Sequence, residues 1–332
     1  MSLTTVEDVS IAFQSDKRAD EYVSLAQGAE EYGFGTVSVF GDLMFQPPIV
    51  PLLLMARATS RIRLGAAGMN PYTVHPVEIA GQVAALDAVS GGRAYAGLVA
   101  GAWMDRIGVT RTRPARALRE CVEVVRRLLA GDGSGYEGEV FRLDEGVRLQ
   151  YPVHRSEVPV LVGGWGPRVV AVAAECADEL KLGGSANPAM VAVARERLAA
   201  VAEPRDVGVV LGAVTVVDED GDAARARARQ EVALYLPVVA SLDPTVDVDP
   251  DLLSRMASLV DAGRSDEAAR LVPRHLLDVF CFAGTPREVA EHALAVLDAG
   301  AARVEFGTPH GLTDAGGVRL LGERVLPVLR DR

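Results

Sequence analysis

Cysteine is scarce in this sequence. Cys121, Cys176 and Cys281 are the only three in 332 residues, far apart and in no C-x-x-C pair, which argues against both a disulfide framework and a zinc knuckle. The five histidines lack metal-ligand spacing and H-E-x-x-H does not occur, so no metal site is expected. Lysine is rarer still, with Lys17 and Lys181 alone among 34 basic residues. The formal net charge is −11, which argues against a nucleic-acid or anionic-membrane partner because nothing offsets phosphate repulsion. No apolar run approaches the ~20 residues of a membrane span, and no basic-then-apolar leader opens the chain. A reduced, cytoplasmic protein with a small-molecule partner is expected.

What the sequence does have is a hydrophobic half, 49% of residues, arranged as repeated strand then helix. Strands are expected at 9–13, 36–40, 62–64, 93–99, 158–162, 179–182, 207–217 and 303–306. Between them lie helical patterns such as 19–32, with Tyr22, Leu25, Ala26 and Ala29 on one face and Gly33 as the stop. Pro114 to Ala130 is strongly amphipathic through Leu118, Cys121, Val125, Leu128 and Leu129. Thr285-Pro286-Arg287-Glu288 reads as a capped helix start. Two stretches interrupt the alternation. Residues 131–157 read as an inserted hairpin, with DGSGYEGE as turn chemistry and VFRL and VRLQY as short strands; residues 219–280 read as a helical excursion over the barrel mouth. Eight alternating pairs imply an α/β fold, a single (β/α)8 TIM barrel with insertions, in one domain over residues 1–332.

In such a barrel the active site sits at the carboxyl ends of the strands. That selects Gln14 to Asp16, Asp42, Ala67 to Asn70, Trp103, Gly163 to Arg168, Gly183 to Ser185, and Thr308 to His310. Gly65 to Gly68 loses side-chain bulk where a ligand or another backbone comes close. Gly163, Gly164, Trp165, Gly166 and Arg168 lie between an apolar strand and a helix opening at Pro167, where free N–H groups and the positive helix end favour a phosphate. The glycine spacing is not G-x-G-x-x-G, so a dinucleotide fold is not supported. Asp42 is either a proton donor or orienting acceptor in a dry pocket, or the cap of the following turn. Trp103 either walls the substrate pocket or packs in the core. His310 is a candidate substrate contact, whereas His75, ahead of Pro76, reads as structural. The direction of Lys181 is open, and Glu7 and Asp8 are expected before the first strand, in solvent.

The stretches LGAAGMNPYTVHP and LDAVSGGRAYAGLVAG resemble the bacterial luciferase-like superfamily, and within it the coenzyme F420-dependent branch that includes methylenetetrahydromethanopterin reductase. The resemblance implies a non-proline cis peptide at Ala67–Gly68 cupping the deazaflavin ring, with Asn70 beside it. It implies a phosphate grip at Gly163–Arg168, with Gly183, Gly184 and Ser185 adjacent. Leu43 stands where the family commonly has a histidine after the acidic residue. Ala102 stands where the sugar-phosphate dehydrogenase branch is acidic, which puts such a substrate in doubt. The implied function is hydride transfer between the deazaflavin C5 and a C=C, C=N or C=O bond of a small organic substrate, with Asp42 as the catalytic proton donor. The alternatives are an FMN-dependent monooxygenase, against which NPY-x-x-HP argues, and a non-catalytic flavin- or deazaflavin-binding protein. Helices two and three commonly form a homodimer in this family.

Overall fold

Val6–Phe13, Phe34–Val39, Arg63–Ala66, Ala94–Val99, Val160–Gly163, Glu179–Gly183, Gly208–Val217 and Arg303–His310 are parallel strands, β1 to β8 in chain order. Each pairs with the next. β8 returns to β1 through Val9↔Val304 to Ala12↔Gly307, so the sheet closes on itself and no barrel edge is left unpaired. The expected (β/α)8 barrel is therefore present. The structure, a computed structural model, describes residues 6–332, and side chains from Asp8 onward.

Helices α1 (Ala19–Tyr32), α2 (Ile49–Ala58), α3 (Pro76–Ser90), α4 (Pro114–Leu129), α5 (Pro167–Cys176) and α6 (Ala189–Ala199) follow β1 to β6 in turn. Their limits have local causes. Proline opens α3, α4 and α5, where its missing N–H costs nothing. Gly33 and Gly91 close α1 and α3 in the left-handed region, at φ 91° and 67°. On α4, Leu118, Cys121, Val125 and Leu128 are all buried; the 3-4-3 spacing lays them on one face, and each contributes roughly 1.5–3 kcal/mol by leaving water.

The segment after α4 departs from its expected pairing. The two strands are Tyr136–Glu137 and Arg142–Leu143, so the turn falls on residues 138–141 rather than earlier, and VRLQY pairs with nothing in the sheet. Glu120 of α4 accounts for the shift. Its buried carboxylate accepts the N–H groups of Glu139, Val140 and Phe141 at 2.9, 2.9 and 3.0 Å, gathering three orphan donors onto one charge. Glu120→Ala is expected to cost about 2–4 kcal/mol, from three backbone donors losing a charged acceptor. Chemical denaturation reads the loss, and hydrogen exchange should rise first at residues 138–141.

After β7 the chain runs through α7 (Gly221–Val239), α8 (Pro250–Asp261), α9 (Ser265–Arg270) and α10 (Arg274–Phe280) before rejoining the barrel. A further strand, Cys281–Gly284, was not legible in the sequence. It pairs with β7 at Val214 to Val217, on the edge that β6 leaves free beyond Gly212. Then α11 (Pro286–Asp298) starts with the expected capping box, Thr285 with Glu288, and α12 (Asp314–Leu320) follows β8. Asp8 is not ahead of β1 but inside it, paired with Arg332 at 3.2 Å; the Glu7 side chain lies outside the described residues.

Candidate functional site

The interior of the barrel is built in tiers, because alternate residues of a strand point inward and alternate strands share a level. One tier comes from the even strands: Ser38 of β2, Tyr95 of β4, Lys181 of β6 and Glu305 of β8. All four are buried and polar. The Ser38 Oγ donates to Glu305 Oε2 at 2.5 Å, and the Tyr95 hydroxyl lies between Ser38 Oγ at 2.8 Å and the Gly65 carbonyl at 3.1 Å. The Lys181 ammonium donates to the other Glu305 oxygen. Below this tier Arg303 makes two hydrogen bonds to Glu179, at 2.6 and 3.2 Å, and one to Ser10 at 2.7 Å. Burial alone would raise the Glu305 carboxyl, but Lys181, Arg303 and the Ser38 hydrogen bond hold it below its ordinary value of 4.5. Glycine makes room for this network. A Cβ on Gly65 would meet the Tyr95 ring at 2.5 Å, and one on Gly212 would meet Lys181 Cε at 3.1 Å and Glu305 Cβ at 3.2 Å.

Two residues further along each of these strands is the tier at the mouth, and it is nearly bare of side chains. It consists of Phe40, Gly97, Gly183 and Gly307. A Cβ on Gly97 or Gly307 would run into the Ala66 or Ala213 carbonyl, whereas one on Gly183 would meet nothing within 4 Å. The barrel is therefore packed with side chains to the level of Lys181, and above it is walled mainly by backbone, with open space at Gly183.

The β3 corner borders this opening. The Ala67–Gly68 peptide is cis, as the resemblance implied. Gly68 is pressed against β4, its Cβ position 2.8 Å from the Gly97 carbonyl, and Gly41 stands against its other side, with a Cβ position 2.5 Å from the Gly68 carbonyl. That contact puts Asp42 next to the corner. Asp42 is half-buried and accepts from Gln14 Nε2 at 2.9 Å, so β1 and β2 hold it jointly. Across the mouth, Val99 joins the corner to β5: its N–H donates to Met69 O at 2.9 Å, and its side chain is 2.8 Å from a Cβ built on Gly163. Two strand spacings, roughly 10 Å, thus separate Ala67–Asn70 from the β5 loop. There Gly166 is the N-cap of α5, with no capping side chain and nothing within 4 Å of its Cβ position. Arg168 is exposed in the first turn. Trp165 is buried and donates to the Gly183 carbonyl at 2.9 Å, tying the β5 and β6 loops together. Gly184 is left-handed at φ 84°, and the Ser185 hydroxyl accepts from Asn187 N at 3.2 Å.

Other expected positions sit differently. The Asn70 Oδ1 accepts from Tyr72 N and Thr73 N at 3.1 and 3.0 Å, so that oxygen shapes the turn. Trp103 is 41% exposed in a left-handed conformation, on the rim and not in the core. His75 caps α3 by accepting from Val77 N at 3.3 Å and packs edge-on to Phe141, the structural role expected of it.

His310 requires a correction. It is 0% exposed behind Phe13, ring centroids 5.1 Å apart, and among the described residues neither ring nitrogen has a well-formed hydrogen bond, the Ala12 and Phe306 backbone only partly opposing the effect of burial. It offers no surface to a substrate. Burial, opposed by the field of Asp314, lowers its pKa to about 4 from 6.5. The folded state therefore refuses a proton that the unfolded chain takes up below about 6.5. The associated stability is whole above that value and is lost as pH falls towards 4, about 3 kcal/mol in all. His310→Asn tolerates the left-handed backbone and does not titrate. The difference between the two denaturation curves should shrink by that amount over this window; a constant difference would show that the imidazole titrates normally.

The interior network was missed by reading the sequence. Its signal was available: Glu179-x-Lys181 and Arg303-x-Glu305 put charges two apart inside otherwise apolar strands, on one face.

Residues 2–303 match the family profile described as luciferase-like monooxygenase. The chain is 30% identical to 5,10-methylenetetrahydromethanopterin reductase of Archaeoglobus fulgidus over 335 residues, covering 96% of this chain and 99% of that one. Among solved structures it resembles the coenzyme F420 dependent tetrahydromethanopterin reductase of Methanopyrus kandleri, with a TM-score of 0.88 at 26% identity over 96% and 98% of the two chains. An F420-dependent secondary alcohol dehydrogenase in complex with an F420-acetone adduct gives 0.79 at 20% identity over 99% and 100%, a likeness of fold.

Proposed function

Since the chain belongs to the luciferase-like monooxygenase family, we propose that it is a coenzyme F420-dependent oxidoreductase acting on a small organic substrate. The observation that carries this reading is the emptied upper tier, lying between a close-packed backbone corner at Ala67–Gly68 and the uncapped start of α5. A flat ring fits the first, and a phosphorylated tail fits the second. Gly163, Gly164, Trp165, Gly166 and Arg168, with Gly183, Gly184 and Ser185, hold the tail through backbone N–H groups and one guanidinium. Ala67, Gly68 and Asn70 bound the ring. When bound, the reduced deazaflavin supplies a hydride from C5 to a C=C, C=N or C=O bond.

The residues contribute mainly orientation and exclusion of water. Asp42, fixed by Gln14, is placed beside the corner to hand a proton to the atom left electron-rich by hydride addition. Trp103 stands at the rim, where an incoming substrate passes.

Titration of the purified protein with the deazaflavin, followed by absorbance, should saturate, and FMN should not displace it. Binding of FMN alone would replace this reading with the monooxygenase one. With reduced deazaflavin and a panel of acceptors carrying the three bond types, Asp42→Asn should slow turnover about 100-fold or more while leaving affinity within about threefold. Unchanged turnover removes Asp42 from the chemistry. The reading extends to the cytoplasm and to a homodimer through α2 and α3, whose Val50 and Val89 are 50% and 42% exposed; sedimentation as a monomer would remove the dimer. Among the described residues no helix is long and apolar enough to cross a membrane.

A further inference from the structure

Lys181 is set apart from the other buried charges of the barrel. Arg303 and Glu179 satisfy each other in the lower tier, and Glu305 receives Lys181, Ser38 and, at 3.3 Å, Ser10, with Arg303 Nη1 3.5 Å away. The Lys181 ammonium has three donors, and Glu305 takes one. On one side it faces the Phe40 ring, 5.3 Å from the centroid. Its side chain is 7% exposed where Glu305 is 1% exposed, because the residue above it on β6 is Gly183, whose Cβ position meets nothing. Within the network, then, this cation is held by a carboxylate directly beneath the mouth tier, with the Phe40 ring on one side and the open Gly183 position two residues further along its own strand. A desolvated ammonium with donors unmet calls for an acceptor.

We propose that Lys181 is a ligand-contacting residue: it gives a charged hydrogen bond to an anionic oxygen of the flat ring bound in the mouth, and Glu305 fixes its position. This rests on the F420 reading above. The chemistry follows from the ring itself. The deazaflavin bears an acidic ring hydroxyl, and its negative charge delocalises over the fused system. A cation beneath the ring lowers the cost of that charge. The same contact selects against a ring that stays neutral in this range, so Lys181 discriminates between deazaflavin and flavin as well as binding.

The test is a spectrophotometric pH titration of the bound oxidised deazaflavin, whose absorbance reports the ionisation of its hydroxyl. Three proteins are compared: wild type, Lys181→Arg, and the double variant Lys181→Met/Glu305→Leu. The double variant is chosen because removing both members of the pair leaves no uncompensated charge in the interior. On wild type the bound ring should titrate about one unit below the free cofactor, a tenfold change in ionisation. Lys181→Arg should keep part of that shift, and the double variant should lose it. A double variant that no longer binds, while Lys181→Arg still does, also supports the contact. A wild-type complex that titrates like the free cofactor, or a double variant that keeps the whole shift, overturns the proposal and leaves the oxidoreductase reading standing, since binding is seen in both. A wild type that does not bind the deazaflavin at all overturns both.

Discussion

Glu305→Leu is expected to lower the unfolding free energy by about 3–5 kcal/mol, the usual cost of removing one partner from a buried ion pair. The leucine fills a similar volume, so the loss is electrostatic. Lys181, 6% exposed, then has no counter-charge in its tier, and Ser38 loses its acceptor. Adding Lys181→Met should recover most of the loss, because an apolar pair needs neither partner nor solvation. Denaturant midpoints of the wild type, two single variants and the double variant give the coupling directly. The pH dependence has a definite sign. The Glu305 carboxyl titrates below 4.5 in the folded state, so its contribution is intact above that value and fades only as pH falls through the lower folded value. If Glu305→Leu destabilises as much at pH 3 as at pH 7, the charge is not the source of the loss.

Filling the mouth tests the other half of the structure. Gly183→Phe puts a ring into space that no protein atom occupies within 4 Å of the Cβ position. The strand backbone there is outside the left-handed region, so the fold should tolerate the change to within about 0.5 kcal/mol. Deazaflavin affinity, by contrast, should fall about 100-fold or more, equivalent to about 2.7 kcal/mol. Full affinity in Gly183→Phe would place the ligand elsewhere and remove the emptied tier from the site.

The fold was legible because its signals are local. Turns at Gly33 and Gly91, prolines at helix starts and the Thr285–Glu288 box each act over a few residues, and α1 and α3 have the expected limits. Some strand ends coincide with the expectation, such as Phe13, Val99 and Val217, and the others moved by one to four residues, most at β8, which runs on through Gly307 to His310. What escaped was decided at long range. The hairpin turn follows from Glu120, 19 to 21 residues upstream, and the strand Cys281–Gly284 exists because β7 extends past β6. His310 sits at the expected strand end, yet Phe13, nearly 300 residues earlier in the chain, covers it. Residue type and spacing could suggest a glycine-rich corner at Ala67–Gly68, but only the assembled barrel places Asp42 beside it.

The ring of positions above Lys181 is formed largely by main-chain atoms, with Phe40 as the single bulky side chain. A point substitution can block such a surface, as at Gly183, but has little purchase for reshaping its contacts, because peptide groups cannot be exchanged one at a time. Diversification should therefore concentrate on the exposed periphery, at Met44, Phe45, Trp103 and Leu242. New acceptors could be recruited there while the coenzyme berth stays as it is, which makes those four sites the natural library for redirecting the catalyst.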